Sequence, residues 1–160
     1  MEDNKLLWTD CIDNQGYYII YDLNTSEIKK YKSEFRYPGY ARLSNNKIYS
    51  INFHDFSSWR TNELGVYDLS TGKYTRIKSE HINGFNVYKD TVCVKSNEDL
   101  LEIYKNENGE IHQVKNLTEI SRIDSISFSH KGDLIVGRDA LTPDSNAEIY
   151  LLDIKYIIKD

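Results

Sequence analysis

The residues best suited to recognition chemistry lie in one stretch between two apolar segments of the sequence. Residues 52–62 carry an imidazole, a carboxylate, a guanidinium and three aromatic rings. Aromatic faces beside charged groups suit the recognition of a peptide or a sugar. In the alternative interpretation, the rings only cover the end of a sheet and the polar groups remain in solvent. The residues predicted to contact a ligand in this stretch are His54, Asp55, Phe56, Trp59 and Arg60.

Cationic and aromatic residues in other loops extend this candidate surface. A second long loop, residues 137–146, and two short connecting segments contain them. If these loops meet at one end of the fold, their positive charges suit an anionic ligand. As ordinary surface residues, the same side chains need no ligand. The additional candidates for partner binding are Arg36, Tyr37, His81 and Arg138.

The sequence contains no local motif of a catalytic or metal site. Its four histidines are scattered, and neither a His-x-x-x-His pair nor a Cys-x-x-Cys pair occurs. A Gly-x-Ser-x-Gly elbow and a glycine-rich phosphate loop are also missing. A triad assembled from distant segments stays open, because triads are spatial arrangements. We predict no catalytic residue, no metal and no cofactor, and we favour a non-catalytic protein over an enzyme.

Charge and hydropathy exclude two classes of partner. The formal net charge is −5, and the 20 lysines and arginines are spread along the chain, so a nucleic-acid surface is not expected. No apolar run approaches the roughly 18 residues of a membrane span, so no membrane insertion is expected. Residues 1–10 lack the basic start and apolar core of a signal peptide. These features predict a soluble protein and favour the cytoplasm.

A repeat organises the whole chain. Hairpins of similar sequence begin near Tyr21, Tyr67, Tyr104 and Tyr150, at spacings of 46, 37 and 46 residues. A second kind of hairpin, with turn residues between two apolar strands, lies between them. Two hairpins in each period of about 40 to 45 residues make four strands per unit, which is the periodicity of a β-propeller blade.

The repeat predicts an all-β, propeller-like array of about four four-stranded antiparallel blades in a single domain, residues 1–160. The first blade is incomplete, because there is no room for its innermost strand, and about 15 strands are expected in all. Cys11 and Cys93 fall in equivalent strands of different blades, which predicts two free, buried thiols. The predicted blades span residues 5–33, 35–79, 81–117 and 122–160.

The last unit resembles a known repeat. Residues 127–136 (SFSHKGDLIV), followed by residues 146–153 (NAEIYLLD), are similar to the WD40-like repeat of TolB-type β-propellers. His130-Lys131-Gly132 stands where that family usually has Pro-Asp-Gly. The family's rings have six to eight blades, so the resemblance leaves three options for about four blades: a fragment, a closed four-blade ring, or two chains that complete one ring. We favour a homodimer or a fragment over the closed ring.

The leading functional hypothesis is an interaction or scaffold module that binds a protein or peptide partner through its loops, with self-association as one form of that binding. One alternative is a carbohydrate- or peptide-recognising propeller that forms part of a larger hydrolase or lyase. Another is an enzyme with its site at the mouth of the channel. The depth and polarity of the loop surface would discriminate between them, because an enzyme needs converging acid and base groups in a pocket.

Overall fold

The computed structural model describes residues 4–53, 62–79, 81–96, 100–107, 109–120, 122–140, 142 and 146–158. These residues form antiparallel β-sheets joined by short turns. By its internal contacts the chain divides into two compact units, Met1–His81 and Ile82–Asp160. Each unit contains two sheets, and each is described by itself below.

The first unit consists of a three-stranded sheet followed by a four-stranded sheet. The strands of the first sheet, in the order β1-β2-β3, are β1 (Lys5–Ile12), β2 (Gln15–Asp22) and β3 (Ile28–Lys32). The strands of the second sheet, in the order β4-β5-β6-β7, are β4 (Tyr37–Ser44), β5 (Lys47–Phe53), β6 (Asn62–Asp68) and β7 (Tyr74–Ser79).

The second unit also has two sheets, but here the four-stranded sheet comes first and the three-stranded sheet second. The third sheet, in the order β8-β9-β10-β11, contains β8 (Ile82–Tyr88), β9 (Thr91–Ser96), β10 (Leu101–Glu107) and β11 (Glu110–Leu117). The fourth sheet, in the order β12-β13-β14, contains β12 (Ile123–Phe128), β13 (Leu134–Arg138) and β14 (Glu148–Leu152), and a short helix α1 (Ile154–Ile157) follows it.

Turn chemistry explains why each sheet folds from consecutive strands. In the turn after β6, the Asp68 carboxylate accepts hydrogen bonds from the backbone N–H groups of Ser70 and Thr71, at 2.8 and 3.1 Å. Gly72 then takes a positive φ of 69°, which glycine adopts without strain. The turn between β4 and β5 places Asn45 and Asn46 at φ values of 49° and 57°, and two such residues favour a tight hairpin.

The two units have different cores. In the first unit, Tyr18, Ile20 and Ile48 form the buried cluster, and the ring of Tyr18 lies 5.7 Å from the ring of Tyr67. In the second unit the cluster is aliphatic apart from one thiol. Its buried members are Cys93, Leu101, Ile103, Ile123, Leu134, Val136 and Ile154.

The predicted fold class is confirmed, with two corrections. The first sheet has three strands, as expected, but so does the fourth, and the described residues contain 14 strands rather than about 15. The fourth sheet is shorter because Asp153 caps α1 by accepting a hydrogen bond from the Lys155 N–H at 2.9 Å, which turns the chain out of the sheet. The single-domain boundary and the four blade ranges stay predictions.

The second correction concerns the cysteines. Both thiols are free, and Cys93 is buried, but Cys11 is exposed. Cys93 lies in β9, which is flanked by β8 and β10. Cys11 lies in β1, an edge strand of the first sheet, so among the described residues only β2 pairs with it within that sheet.

Candidate functional site

The candidate site begins at the two strand ends that flank residues 54–61. β5 ends at Phe53 and β6 begins at Asn62. Next to these ends, Asn52 and Glu63 face each other across the two strands. Their exposed fractions are only 0% and 7%. Buried polar groups need hydrogen-bond partners, and these two have them.

A hydroxyl from the first sheet reaches Asn52. The Tyr18 hydroxyl lies 2.8 Å from Ser50 Oγ and 3.2 Å from Asn52 Oδ1. Ser50 Oγ also donates to Asn52 Oδ1 at 3.0 Å. Tyr18 belongs to β2 and the other two residues to β5, so these bonds join the first sheet to the second.

The network continues from Asn52 to Glu63. Asn52 Nδ2 donates to the Tyr74 hydroxyl at 3.2 Å, and that hydroxyl donates to Glu63 Oε1 at 2.7 Å. Gly65 leaves room for the Tyr74 hydroxyl, because a Cβ at this glycine would lie 2.0 Å from it. The ring of Phe35 packs edge-on against Tyr74 at 5.2 Å between centroids. We call Tyr18, Ser50, Asn52, Glu63 and Tyr74 the polar network.

The two tyrosines of the polar network stay neutral at physiological pH. Burial raises the pKa of Tyr74 far above its ordinary value, and the hydrogen bond to Glu63 raises it further. Burial also raises the pKa of Tyr18. Neutral phenols act as donors here rather than as bases. The arrangement therefore suits holding strand ends in place more than abstracting a proton.

Two predicted site residues lie beside the strand ends that the polar network holds. Tyr37 pairs with Phe53, the last residue before the loop. The Arg36 guanidinium carbon lies 4.9 Å from the centroid of the Tyr37 ring, and Arg36 also donates a hydrogen bond to Asn14 Oδ1. Arg36 is exposed and Tyr37 is half-buried. His54, Asp55, Phe56, Trp59 and Arg60 lie outside the described residues.

A glycine positions the segment that carries Arg36 and Tyr37. The backbone of this segment passes over Gly16 so closely that a Cβ there would lie 2.1 Å from the Phe35 carbonyl oxygen. The Ser33 N–H donates to the Gly16 carbonyl at 2.9 Å. The Gln15 side chain donates to the Ser33 carbonyl at 2.8 Å. These contacts fix the start of β4 against β2.

The other two predicted residues have different surroundings. His81, in the first unit, is exposed and takes a positive φ of 54°. Arg138 lies in the second unit, where its Nε is 3.5 Å from Glu148 Oε2 and its NH1 donates to the Tyr150 hydroxyl at 3.3 Å. Glu148 accepts from Tyr150 at 2.6 Å, which raises the pKa of Tyr150. Its own sheet therefore already neutralises Arg138.

The described part of the chain has neither a candidate metal cluster nor a membrane-spanning helix. It contains no group of three or more His, Cys, Asp or Glu side chains placed to hold a metal ion. Within the same ranges, no helix has the length and apolar character needed to cross a membrane.

Sequence reasoning missed the polar network, although a weak signal was present. Asn52 and Glu63 interrupt apolar strands directly beside the predicted site loop. A polar residue at an inward position of a buried strand indicates a partner across the sheet. The partners, Tyr18 and Tyr74, belong to other hairpins, and the sequence gives no register between one sheet and the next.

Solved structures resemble this arrangement of sheets. The β-propeller domain of the Trilobed protease from Pyrococcus furiosus has a TM-score of 0.65 at 16% identity, covering 93% of this chain and 50% of that chain. The chain has the β-propeller fold. TolB from Acinetobacter baumannii has a TM-score of 0.61 at 15% identity, covering 97% and 39%. KlAtg21, in complex with the coiled-coil of AgAtg16, has a TM-score of 0.58 at 15% identity, covering 93% and 50%.

This propeller chain spans at most half the length of those three structures. Identities of 14–16% to such structures establish the fold alone. No protein-family model matches the sequence, and no curated protein is similar to it. The solved structures confirm the predicted β-propeller fold.

Proposed function

We propose that this propeller is a non-catalytic binding module that presents residues 54–61, with Arg36 and Tyr37 beside them, to a protein or peptide partner. The polar network carries this proposal, because it immobilises both strand ends from which the loop extends. When the strand ends are held rigidly, the residues between them lose less conformational entropy on binding a partner. KlAtg21, a protein of the same fold, was solved with a coiled-coil partner, which supports protein binding as a use of this fold.

The residue types of the proposed surface suit a protein or peptide. Tryptophan, tyrosine and arginine are enriched among residues that dominate binding energy. In this surface Trp59 and Arg60 follow the strand end, and Arg36 stacks on Tyr37 beside it. His54, Asp55, Phe56 and His81 complete the proposed set.

Selection of peptides from a displayed random library tests the proposal directly. Selected peptides should bind Trp59→Ala and Arg36→Ala at least tenfold more weakly than the unaltered chain, a loss of about 1.4 kcal/mol. Trp8→Ala and Lys30→Ala are matched controls, because they remove the same kinds of group from exposed positions on the first sheet. Failure to select any peptide, or equal loss for the controls, would contradict the proposal.

A finer part of the proposal is that a second copy of the chain completes the ring. This chain covers 39–50% of the length of the propellers it resembles, so two copies have the length of one. Edge strand β14 supports it, since Ile149 and Leu151 there are 79% and 67% exposed. Unpaired edges with apolar side chains favour pairing with another chain.

The molecular mass of the protein in solution tests whether two copies of the chain associate. Light scattering should give twice the 18.7 kDa of one chain. Ile149→Lys should shift the mass towards one chain, whereas Tyr40→Lys, at a site of similar exposure on β4, should not. A mass of one chain at all concentrations would reject the dimer and leave the peptide-binding proposal intact.

A further inference from the structure

A cleft with a volume of about 480 Å³ lies in the second unit, where turns of the third and fourth sheets meet. Four lysines line it: Lys89, Lys105, Lys131 and Lys155. Its apolar lining comes from the ring of Tyr88 and the side chains of Ile154 and Ile158. We call this the lysine cleft. The lysine cleft contains no residue of the stretches 52–62 and 137–146. Nothing in the proposed function depends on it.

The charge of the lysine cleft opposes that of the chain. The whole chain carries a formal charge of −5, yet this lining has four lysines against two carboxylates, Asp133 and Asp153. Both carboxylates are occupied locally. Asp133 Oδ2 accepts from Ser129 Oγ at 2.9 Å, and Asp153 Oδ1 accepts from the Lys155 backbone N–H at 2.9 Å. Even with both carboxylates charged, the lining carries four positive charges against two negative ones.

The ammonium groups themselves are largely available. Lys105 is 3.6 Å from Glu107, and the Lys89 ammonium lies 5.3 Å from the centroid of the Tyr88 ring. Lys131 and Lys155 have no side-chain hydrogen bond or ion pair within the described ranges, and both are exposed. Clustered cations that outnumber their counter-charges repel one another, and an anion relieves that repulsion.

The fold holds two walls of the lysine cleft together. Lys89 is in the turn between β8 and β9, with a positive φ of 53°. Gly132 is in the turn between β12 and β13, and a Cβ there would lie 2.4 Å from Tyr88 Cε1. The Tyr88 hydroxyl donates to the His130 carbonyl at 3.4 Å. The two lysine-bearing turns are thus in direct contact, with the Tyr88 ring between them.

We propose that the lysine cleft binds a phosphate monoester, with the phosphate among the lysines and the organic group against Tyr88, Ile154 and Ile158. Lysine binds phosphate as a mobile point charge with three donors, so it needs no fixed fork geometry. An apolar wall beside a few convergent charges is the usual composition of a small-molecule site. A soluble ester and a lipid headgroup share this chemistry.

Titration with phenyl phosphate, followed by amide NMR shifts, tests the site. Saturable shifts should centre on residues 88–91, 131–133 and 153–158. Lys131→Gln with Lys155→Gln should weaken binding at least tenfold. Lys95→Gln with Lys115→Gln removes the same charge from the same unit outside the cleft lining and should leave the affinity within twofold.

Three results would overturn the proposal. They are an absence of saturable shifts, shifts that do not centre on the cleft, and equal weakening by the two double variants. Inorganic phosphate should bind several-fold more weakly than phenyl phosphate because it lacks the ring. Equal affinity for both would remove the assigned role of Tyr88 and the isoleucines. The spectra of both double variants report directly on whether they remain folded.

Vesicles distinguish the source of the phosphate. Binding to phosphatidylcholine vesicles that contain phosphatidic acid, lost in the Lys131→Gln, Lys155→Gln variant and absent without phosphatidic acid, would assign a lipid headgroup. Binding of phenyl phosphate without vesicle binding would assign a soluble ester. Either result supports the site, and neither depends on peptide binding by the first unit.

Discussion

The two units of this propeller use one repeat but join their sheets in different ways. In the first unit, hydrogen bonds of the Tyr18 hydroxyl with Ser50 and Asn52 link neighbouring sheets. In the second, aliphatic side chains such as Leu134 and Ile103 fill the corresponding space. Burying an aliphatic side chain contributes about 1.5–3 kcal/mol, whereas a buried hydrogen bond contributes about 1 kcal/mol net. The stability of the second unit should therefore depend mainly on the volume of its buried side chains. That of the first unit should depend more on the geometry of its hydrogen bonds.

The largest effect is expected from removing volume in the second unit. Leu134→Ala should lower the free energy of unfolding by about 3 kcal/mol, because Leu134 is 0% exposed at the centre of the aliphatic cluster. Urea denaturation followed by circular dichroism measures it. Ile28→Ala, at a position 60% exposed, should change it by less than about 0.5 kcal/mol. Similar losses for the two variants would break the comparison.

A smaller effect is expected from removing one hydroxyl in the first unit. Tyr18→Phe preserves the ring but leaves Ser50 and Asn52 without that partner, which should cost about 1–2 kcal/mol in the same denaturation measurement. Tyr40→Phe is the control, since Tyr40 is 75% exposed. If Tyr18→Phe were as neutral as the control, the polar network would not contribute to stability.

Alkaline pH should affect the second unit through Cys93. Burial raises the pKa of its thiol from 9.0 to about 12, so the folded state favours the protonated form. This contribution is complete below pH 9 and is lost as pH rises from 9 towards 12, by up to about 1.4 kcal/mol per unit. Cys93→Ala should flatten the fall in stability just above pH 9. Cys11→Ala, at the exposed thiol, should leave it unchanged.

The smallest effect is expected in a turn, away from both cores. Asp68→Ala should cost roughly 0.5–1 kcal/mol at neutral pH, because the turn after β6 loses an acceptor. The hydrogen bond from Ser70 lowers the pKa of Asp68 below 3.8, so this stabilisation exists above that pH and disappears as pH falls further. Asp68→Asn preserves an acceptor and should retain most of the stability at neutral pH. Thermal unfolding at neutral and acidic pH would measure both.

Local patterns made much of the fold predictable. Turn residues such as Asn45-Asn46 and the Asp68 turn marked the hairpins, and their spacing predicted the four strands that the second and third sheets have. The end of the fourth sheet was less predictable, because the sequence Glu148–Leu152 reads as a strand up to the point where Asp153 caps a helix. At Asp153 the chain can either continue the strand or begin a helix, so a single capping residue decides where the sheet ends.

The sites were less predictable because they are assembled across sheets. Tyr18 and Tyr74 are 56 positions apart in the sequence, and both reach Asn52. Lys89 and Lys131 belong to different hairpins, each with an ordinary turn sequence. The spacing of the repeat in the sequence does not indicate which face of one sheet packs against the next sheet. Arg36 and Tyr37 were predicted because they lie in a short connecting segment, and their part in a binding surface stays a prediction.

Gly16 has a consequence for how this sequence can change through evolution. Any side chain at this position would collide with the backbone of the segment carrying Arg36. Among the described residues, apart from its two chain neighbours, no atom lies within 4 Å of where a Cβ of Gly84 would be. Among descendants of this gene, position 84 should accumulate substitutions freely, whereas position 16 should change only together with a rebuilt connection between the first two sheets.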